Sequence, residues 1–198
     1  LKCKKIIHLT HYFYGISQFI KNLHLIGAHI LIGEGDPSVI NNRVGREFES
    51  FEFQLVPFVS VKRFKTLVPY NERKHCAVST GTVAPKIIND DFQYYFGTDC
   101  LQPDRLELYN LARENNLSAC ELCVENLYDK GSRLQRSYFK QDVVALYNSY
   151  KYYLVTCEIV GFPQIAMYEA VACGCVLISK DEKILSALGL VAGIHYIL

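Results

Sequence analysis

A turn between a predicted strand and a predicted helix, in the last quarter of the chain, carries residues that could bind an anion. The strand ends at Cys157, and Gly161 and Pro163 follow before an apolar helix begins. Glycine lets the backbone approach a ligand, and proline suits the first position of a helix. Free N–H groups at a helix start, together with the helix dipole, bind phosphate. The turn therefore predicts a site for a phosphate-containing ligand.

Glu169 is the charged residue of that helix, and its neighbours are apolar. A carboxylate in such surroundings needs a polar partner, and a pair of ribose hydroxyls would satisfy it. The alternative is a position on the exposed surface of the helix. Glu158 is compatible with a ligand contact and with an exposed turn. Gly81, at the end of an earlier strand, and Gly161 are each compatible with a ligand-binding turn and with a simple tight turn.

The segment from Glu158 to Gly174 resembles the nucleotide-sugar motif of retaining GT-B glycosyltransferases (glycosyl transferases group 1, family 4-like). It contains Gly161-Phe-Pro-Gln-Ile-Ala and Glu169-Ala-Val-Ala-Cys-Gly. The usual family pattern is a glutamate, seven residues, a second glutamate, and small residues that end in glycine. In this chain ten residues separate Glu158 from Glu169, and Gly161 stands at the family spacing.

The resemblance implies that Glu169 binds the ribose of the donor nucleotide and that Glu158, the catalytic candidate, lies near the transferred sugar. Backbone amides between the two glutamates would hold sugar and phosphate groups. Lys86 is the nearest candidate for the basic residue at the diphosphate, and Arg133, Arg136 and Lys140 are the others. The donor-binding residues expected in this way are Thr80, Gly81, Thr82, Lys86, Arg136, Gly161, Phe162, Pro163, Gln164, Ile165 and Glu169.

The reaction implied by the resemblance is transfer of a hexose from a UDP- or GDP-sugar to a hydroxyl acceptor, with retention, in glycan or polysaccharide synthesis. No cofactor and no metal are expected. The acceptor would be a glycan, a lipid-linked sugar or a small molecule, and a part of the protein outside this chain would associate peripherally with a membrane. The altered glutamate spacing favours an alternative, a non-catalytic nucleotide-sugar-binding or interaction module with the same fold.

Strand and helix patterns alternate along the chain, which predicts an α/β fold built from Rossmann-like parallel sheet units. Apolar residues at helical spacing predict a helix from Ile16 to Gly27, and further helices over 138–150 and 164–173. The apolar run 54–59 predicts a strand, and a later strand is expected to end in a turn at Thr80 to Thr82.

Basic residues without periodicity predict a linker over residues 60–75. On the resemblance, residues 1–59 are the C-terminal part of an acceptor-side Rossmann-like domain, and residues 76–198 are the nucleotide-sugar-binding domain. The chain starts at Leu1, has Met167 as its one methionine and ends in a predicted strand. We therefore expect a GT-B glycosyltransferase truncated at both ends.

The charges of the chain nearly cancel, with 21 Lys and Arg against 20 Asp and Glu and a formal net charge of +1. Such a chain has no long-range field for a polyanion, so nucleic acid is not expected as a partner. No apolar run approaches the roughly 18 residues of a membrane helix, and the start of the chain lacks a signal-peptide pattern. We therefore expect a soluble, cytoplasmic protein.

Cysteine is abundant, with eight residues, most of them in or beside apolar segments. Because free cysteine behaves there as a small hydrophobe, we expect reduced thiols rather than disulfides. An alternative is a four-cysteine zinc site formed by Cys120, Cys123, Cys173 and Cys175. The spacing of the second pair is not that of a usual zinc ribbon.

Overall fold

The computed structural model describes residues 4–9, 12–35, 37–44, 46–57, 62–83, 90–114, 117, 119–126 and 142–198. Strands and helices alternate along these residues, and the paired strands are parallel. The predicted α/β class with Rossmann-like parallel units is confirmed. None of the helices within the described ranges is long and apolar enough to cross a membrane.

The first unit, residues 4–57, contains a three-stranded sheet in the order β1-β2-β3. Its elements are β1 (Ile6–His8), α1 (Ile16–Ile26), β2 (Ile30–Gly33), α2 (Pro37–Val44), α3 (Arg46–Glu49) and β3 (Glu52–Leu55). In α1 the buried residues Ile16, Ile20 and Leu23 share one face, and the helix ends at Gly27 in the left-handed conformation. This predicted helix is confirmed.

The second unit, residues 74–198, contains a five-stranded sheet in the order β5-β4-β6-β7-β8. Its elements are β4 (Lys74–Val83), α4 (Asp90–Phe96), α5 (Pro103–Arg113), β5 (Cys120–Asn126), α6 (Val143–Ser149), β6 (Tyr150–Leu154), α7 (Ile165–Ala172), β7 (Val176–Ile178), α8 (Glu182–Ala187) and β8 (Tyr196–Ile197). The strand order reverses between β4 and β6. Ligands of open α/β sheets bind at such a switch point, outside the carboxyl ends of the strands.

Two predicted elements have different bounds. The strand expected over 54–59 is β3, which starts at Glu52 and stops at Leu55. Leu55 pairs with Gly33, the last residue of β2, and Pro57 has no N–H with which to extend the ladder. The helix expected over 138–150 is described from Val143, and Tyr150 already belongs to β6. Residues 138–141 lie outside the described part.

The segment that precedes β4 is tied to the second unit by the buried side chain of Asn148. Its Oδ1 accepts from the backbone N–H groups of Leu67 at 2.7 Å and Val68 at 3.2 Å, and its Nδ2 donates to the Lys65 carbonyl at 3.0 Å. The placement of a domain boundary over 60–75 stays a prediction.

The two units share one hydrophobic cluster. Helix α4, which follows β4 in sequence, buries Phe92 and Phe96 among residues of the first unit. The rings of Phe92 and Phe13 meet edge to face at 6.3 Å. Val160, in the loop after β6, is fully buried in the same cluster. The loop that follows β6 is therefore held against the first unit.

Asp91 of α4 supplies the cap that α1 lacks. The residue before α1 is Gly15, which has no side chain to accept from the first N–H groups of the helix. Asp91 Oδ2 accepts from the Ser17 backbone N–H at 3.1 Å, and Oδ1 accepts from Ser17 Oγ at 3.0 Å. A carboxylate at a helix N-terminus satisfies free donors and complements the helix dipole.

We predict that Asp91→Ala lowers the free energy of unfolding by about 1–2 kcal/mol, because the free N–H of α1 and the Ser17 hydroxyl lose their acceptor. Asp90→Ala is the matched control, since Asp90 is exposed and lies in the same first turn of α4. Urea denaturation of both variants measures the difference. Equal destabilisation by the two substitutions would contradict the capping role.

Candidate functional site

The predicted turn at Thr80 to Thr82 is instead the continuation of β4. The strand runs to Val83, and Gly81 and Thr82 pair with β5. The expectation of a strand ending at Gly81 is therefore wrong, because hydrogen bonding to β5 continues beyond it. Gly81 has a φ of 131°, and a Cβ there would lie 2.8 Å from Arg105 Nη1. Glycine at this position lets a guanidinium approach the backbone.

Arg105, from α5, places a buried positive charge at the switch point. It is 5% exposed, its Nη1 donates to the Thr82 carbonyl at 2.7 Å, and its Nε donates to Thr156 Oγ1 at 3.2 Å. Within the described ranges no carboxylate forms an ion pair with it. A buried charge without a counter-charge is costly, and an anionic ligand would compensate it.

Sequence reasoning missed Arg105, although a signal was available. The residue lies on the same face of α5 as Leu108 and Ala112, at a spacing of three and then four residues. That pattern predicts an amphipathic helix, and the spacing alone does not show whether an arginine on the apolar face is buried or extends to solvent. The basic candidates Lys86, Arg133, Arg136 and Lys140 lie outside the described residues.

The start of α7 offers a second set of donors. The helix begins at Ile165, and Pro163 lies two residues before it. The prediction that Pro163 occupies the first position of the helix is therefore wrong. Gln164 is the N-cap residue, and its side chain does not cap the helix. Its Oε1 accepts from the Tyr153 hydroxyl at 2.6 Å, whereas its buried Nε2 has no partner among the described residues.

A network of hydroxyl groups connects β4 to Glu169. Thr80 Oγ1 is fully buried and lies 3.0 Å from the Tyr147 hydroxyl and 3.3 Å from the Tyr153 hydroxyl. The Tyr147 hydroxyl donates to Glu169 Oε2 at 3.4 Å. Through Tyr153 the network also reaches Gln164. Three residues predicted for the site, Thr80, Gln164 and Glu169, are thus connected to one another through the hydroxyl groups of Tyr147 and Tyr153.

Glu169 is half-buried on α7. Burial raises the pKa of its carboxyl group, while the Arg63 charge and the Tyr147 hydroxyl act in the opposite direction and lower the pKa. The carboxylate is therefore partly desolvated and has one weak hydroxyl contact. Such a group gains from further hydroxyl donors.

The turn that follows β6 packs against the first unit. A Cβ at Gly161 would lie 2.9 Å from Val39 Cβ of α2, and the ring of Phe162 covers Gly35. Phe162 also meets Tyr12 edge to face at 5.7 Å. The tight approach of the two units requires the absence of a side chain at Gly161. Pro163 is buried, and Ile165 is 46% exposed.

Glu158 lies where the two units meet. Its Oε1 accepts from Gln102 Nε2 at 3.0 Å. Burial raises the pKa of Glu34, in the first unit, and the negative charge of Glu158 raises it further. Burial also raises the pKa of the Tyr12 hydroxyl, and the negative charge of Glu158 raises that pKa further. The Tyr12 hydroxyl is buried and has no hydrogen-bond partner within the described part of the chain.

The cysteines proposed as zinc ligands are separated in space. Cys120 and Cys123 belong to β5, at one edge of the sheet, whereas Cys175 precedes β7 on the far side of β4 and β6. Cys175 Sγ donates to the Tyr147 carbonyl at 3.1 Å. No group of three or more possible metal ligands exists among the described residues. The four-cysteine zinc site is therefore not formed.

The fold and the site define a parallel α/β protein of Rossmann-like units, with buried donors at the switch point of its larger sheet. In comparisons with protein-family models, curated proteins and solved structures, nothing matches this chain.

We predict that Glu34→Gln stabilises the protein at neutral pH and that the gain disappears in acid. A carboxyl group whose pKa is raised by folding is protonated in both states below its ordinary pKa, and it destabilises the fold as the pH rises above that value. The measurement is the unfolding free energy of the variant and the native chain between about pH 4 and 8. Glu49→Gln, at an exposed position, is the control. A gain that does not depend on pH would refute the electrostatic explanation.

Proposed function

We propose that the protein binds a nucleoside diphosphate sugar at the switch point between β4 and β6 and transfers the hexosyl group to a hydroxyl acceptor. One observation carries the proposal. This edge of the sheet holds a buried positive charge without an ion pair and a buried amide N–H without an acceptor, both among the described residues. These donors are the Arg105 guanidinium and the Gln164 amide. A diphosphate would satisfy both, with the N–H groups at the start of α7.

Glu169 supports the nucleoside part of the proposed ligand. Its carboxylate is half-buried on α7, the same helix whose start would hold the phosphates. A carboxylate accepts hydrogen bonds from both hydroxyls of a ribose, as the acidic residue of dinucleotide folds does. Glu169 would orient the ligand, because a fixed ribose also fixes the position of the anomeric carbon relative to the acceptor.

In the proposed reaction the bond between the anomeric carbon and the diphosphate oxygen breaks, and its electron pair leaves with the nucleoside diphosphate. The acceptor hydroxyl oxygen forms the new bond on the same face, and its proton passes to the departing phosphate oxygen. Arg105 and the start of α7 would stabilise the charge that develops on the diphosphate. Glu158, where the two units meet, would stabilise positive charge on the sugar ring.

A second candidate is a binding module that holds a nucleotide sugar without transferring it. The packing of Phe162 on Gly35 and the Gln102 contact to Glu158 favour it, because they occupy the turn expected beside the transferred sugar. Release of nucleoside diphosphate from a bound nucleotide sugar, measured with and without acceptors, distinguishes the two candidates. Binding without release would support the module.

We predict that Gln164→Met weakens binding of the matching nucleoside diphosphate by about 10- to 100-fold, the scale of a hydrogen bond to a charged group. Affinity for the nucleoside without phosphates should stay unchanged, because the lost N–H faces the phosphates. Titration calorimetry with UDP, GDP and ADP and with their nucleosides measures both. Gln93→Met, at an exposed position on α4, is the control. If no nucleotide binds the folded native chain, the proposed function is wrong.

We predict that Glu169→Ala weakens nucleoside and nucleoside diphosphate binding by the same factor, about 10-fold or more, because the ribose is common to both. Glu72→Ala, which removes an exposed carboxylate before β4, should leave both affinities unchanged. The same calorimetric series is the measurement, with thermal unfolding as the check on folding. A loss confined to the diphosphate would place Glu169 away from the ribose.

A further inference from the structure

A cleft of about 550 Å³ lies between α2 of the first unit and α8 of the second. Its volume is within the usual range of small-molecule sites. Val39 and Arg43 line it on the α2 side, and Lys183 and Ile184 line it on the α8 side. Because the two walls come from different units, the cleft exists only where the units meet.

The cations that line the cleft are more exposed to solvent than its carboxylates. Arg43 and Lys183 are exposed, and neither forms an ion pair with a carboxylate of the described residues. Lys180 is also exposed but is already paired, with its Nζ 2.9 Å from Asp104 Oδ1. Of these three exposed cations, Arg43 and Lys183 therefore remain without an ion pair among the described residues, and they lie on opposite walls of the cleft.

The inner part of the cleft is lined by less accessible groups. Cys157 is 4% exposed, and the half-buried carboxylates of Asp104, Glu158 and Asp181 lie around it. Burial, followed by the charge of Asp181, raises the pKa of the Cys157 thiol, so the thiol is neutral. Carboxylates in such a setting accept hydrogen bonds from hydroxyl groups, and they repel phosphate.

We propose that this cleft is the acceptor subsite and takes a sugar phosphate. The sugar hydroxyls lie against the inner carboxylates, and the phosphate lies between Arg43 and Lys183. A phosphate monoester carries nearly two negative charges at neutral pH, which matches two cations better than the single charge of a uronic acid does. The inference rests on the proposed function, because Glu158 belongs both to this cleft and to the position proposed for the transferred sugar.

The phosphate could belong to a free sugar phosphate or to the headgroup of a lipid-linked sugar, and the chemistry recognised is the same. Glucose, fructose and mannose 6-phosphates are the soluble probes, and the unphosphorylated sugars and inorganic phosphate are tested beside them. Vesicles that carry a sugar linked to polyprenyl diphosphate test the lipid source. Vesicles of neutral lipid alone are their control.

The experiment is calorimetric titration of the native chain, of Arg43→Met and Lys183→Met, and of the double variant. We expect at least one probe to bind about 10-fold more tightly than its unphosphorylated counterpart, and each single variant to lose about 5-fold of that affinity. Affinity for the unphosphorylated sugar should not change. Lys21→Met, an exposed position on α1, is the matched control and should bind as the native chain does. In the presence of a nucleotide sugar, the bound probe should be glycosylated.

Undiminished binding of every probe by the double variant would overturn the proposal. It would also be overturned if nucleotide sugars bind but no phosphorylated probe does, an outcome that leaves the proposed function standing. If probes bind through Arg43 and Lys183 but no nucleotide binds, the proposed function fails and the acceptor role falls with it. Binding that is confined to the lipid-linked sugar, and lost in the double variant, supports the subsite and identifies the lipid headgroup as the source.

Discussion

The loop after β6 determines how the two units meet. It buries Val160 in the cluster built mainly by the first unit, and Gly161 brings its backbone against Val39. Burial of apolar side chains is the main favourable contribution to such contacts. The same loop holds Glu158 near its start and leads into Gln164 at its end, so the contacts of this loop with the first unit position both ends of the candidate site.

Charges are distributed unevenly around this loop. On the side of β4 and α5, the buried Arg105 and the Gln164 amide lack anionic partners among the described residues. On the side of the first unit, Glu34 and Glu158 are close enough for the charge of one to raise the pKa of the other. A ligand with a diphosphate at one end and hydroxyl groups at the other matches this distribution, and that match connects the two proposals.

Periodicity in the sequence was sufficient for the class of fold and for the longer elements with a clear apolar pattern. Helix α1 was predictable because its apolar residues recur every three or four positions, and β4 because a short apolar run begins at Cys76 and a glycine, Gly81, follows it. Helix α4 was missed, since its seven residues are too few for a periodic pattern to stand out. The end of β4 was placed too early because pairing with β5, a non-local interaction, decides how far the strand extends.

In the candidate site, too, some features follow from the local sequence and others only from the tertiary structure. Local sequence determined that a turn with Gly161 precedes a helix that carries Glu169, because backbone conformation and helix starts depend on neighbouring residues. Only the tertiary structure decided that Arg105 is buried beside Gly81, that Thr80 shares hydroxyl contacts with Tyr147 and Tyr153, and that the charge of Glu158 acts on the pKa of Glu34. These interactions join residues that are far apart in the chain, and whether a polar side chain is solvated or buried depends on what the fold packs against it.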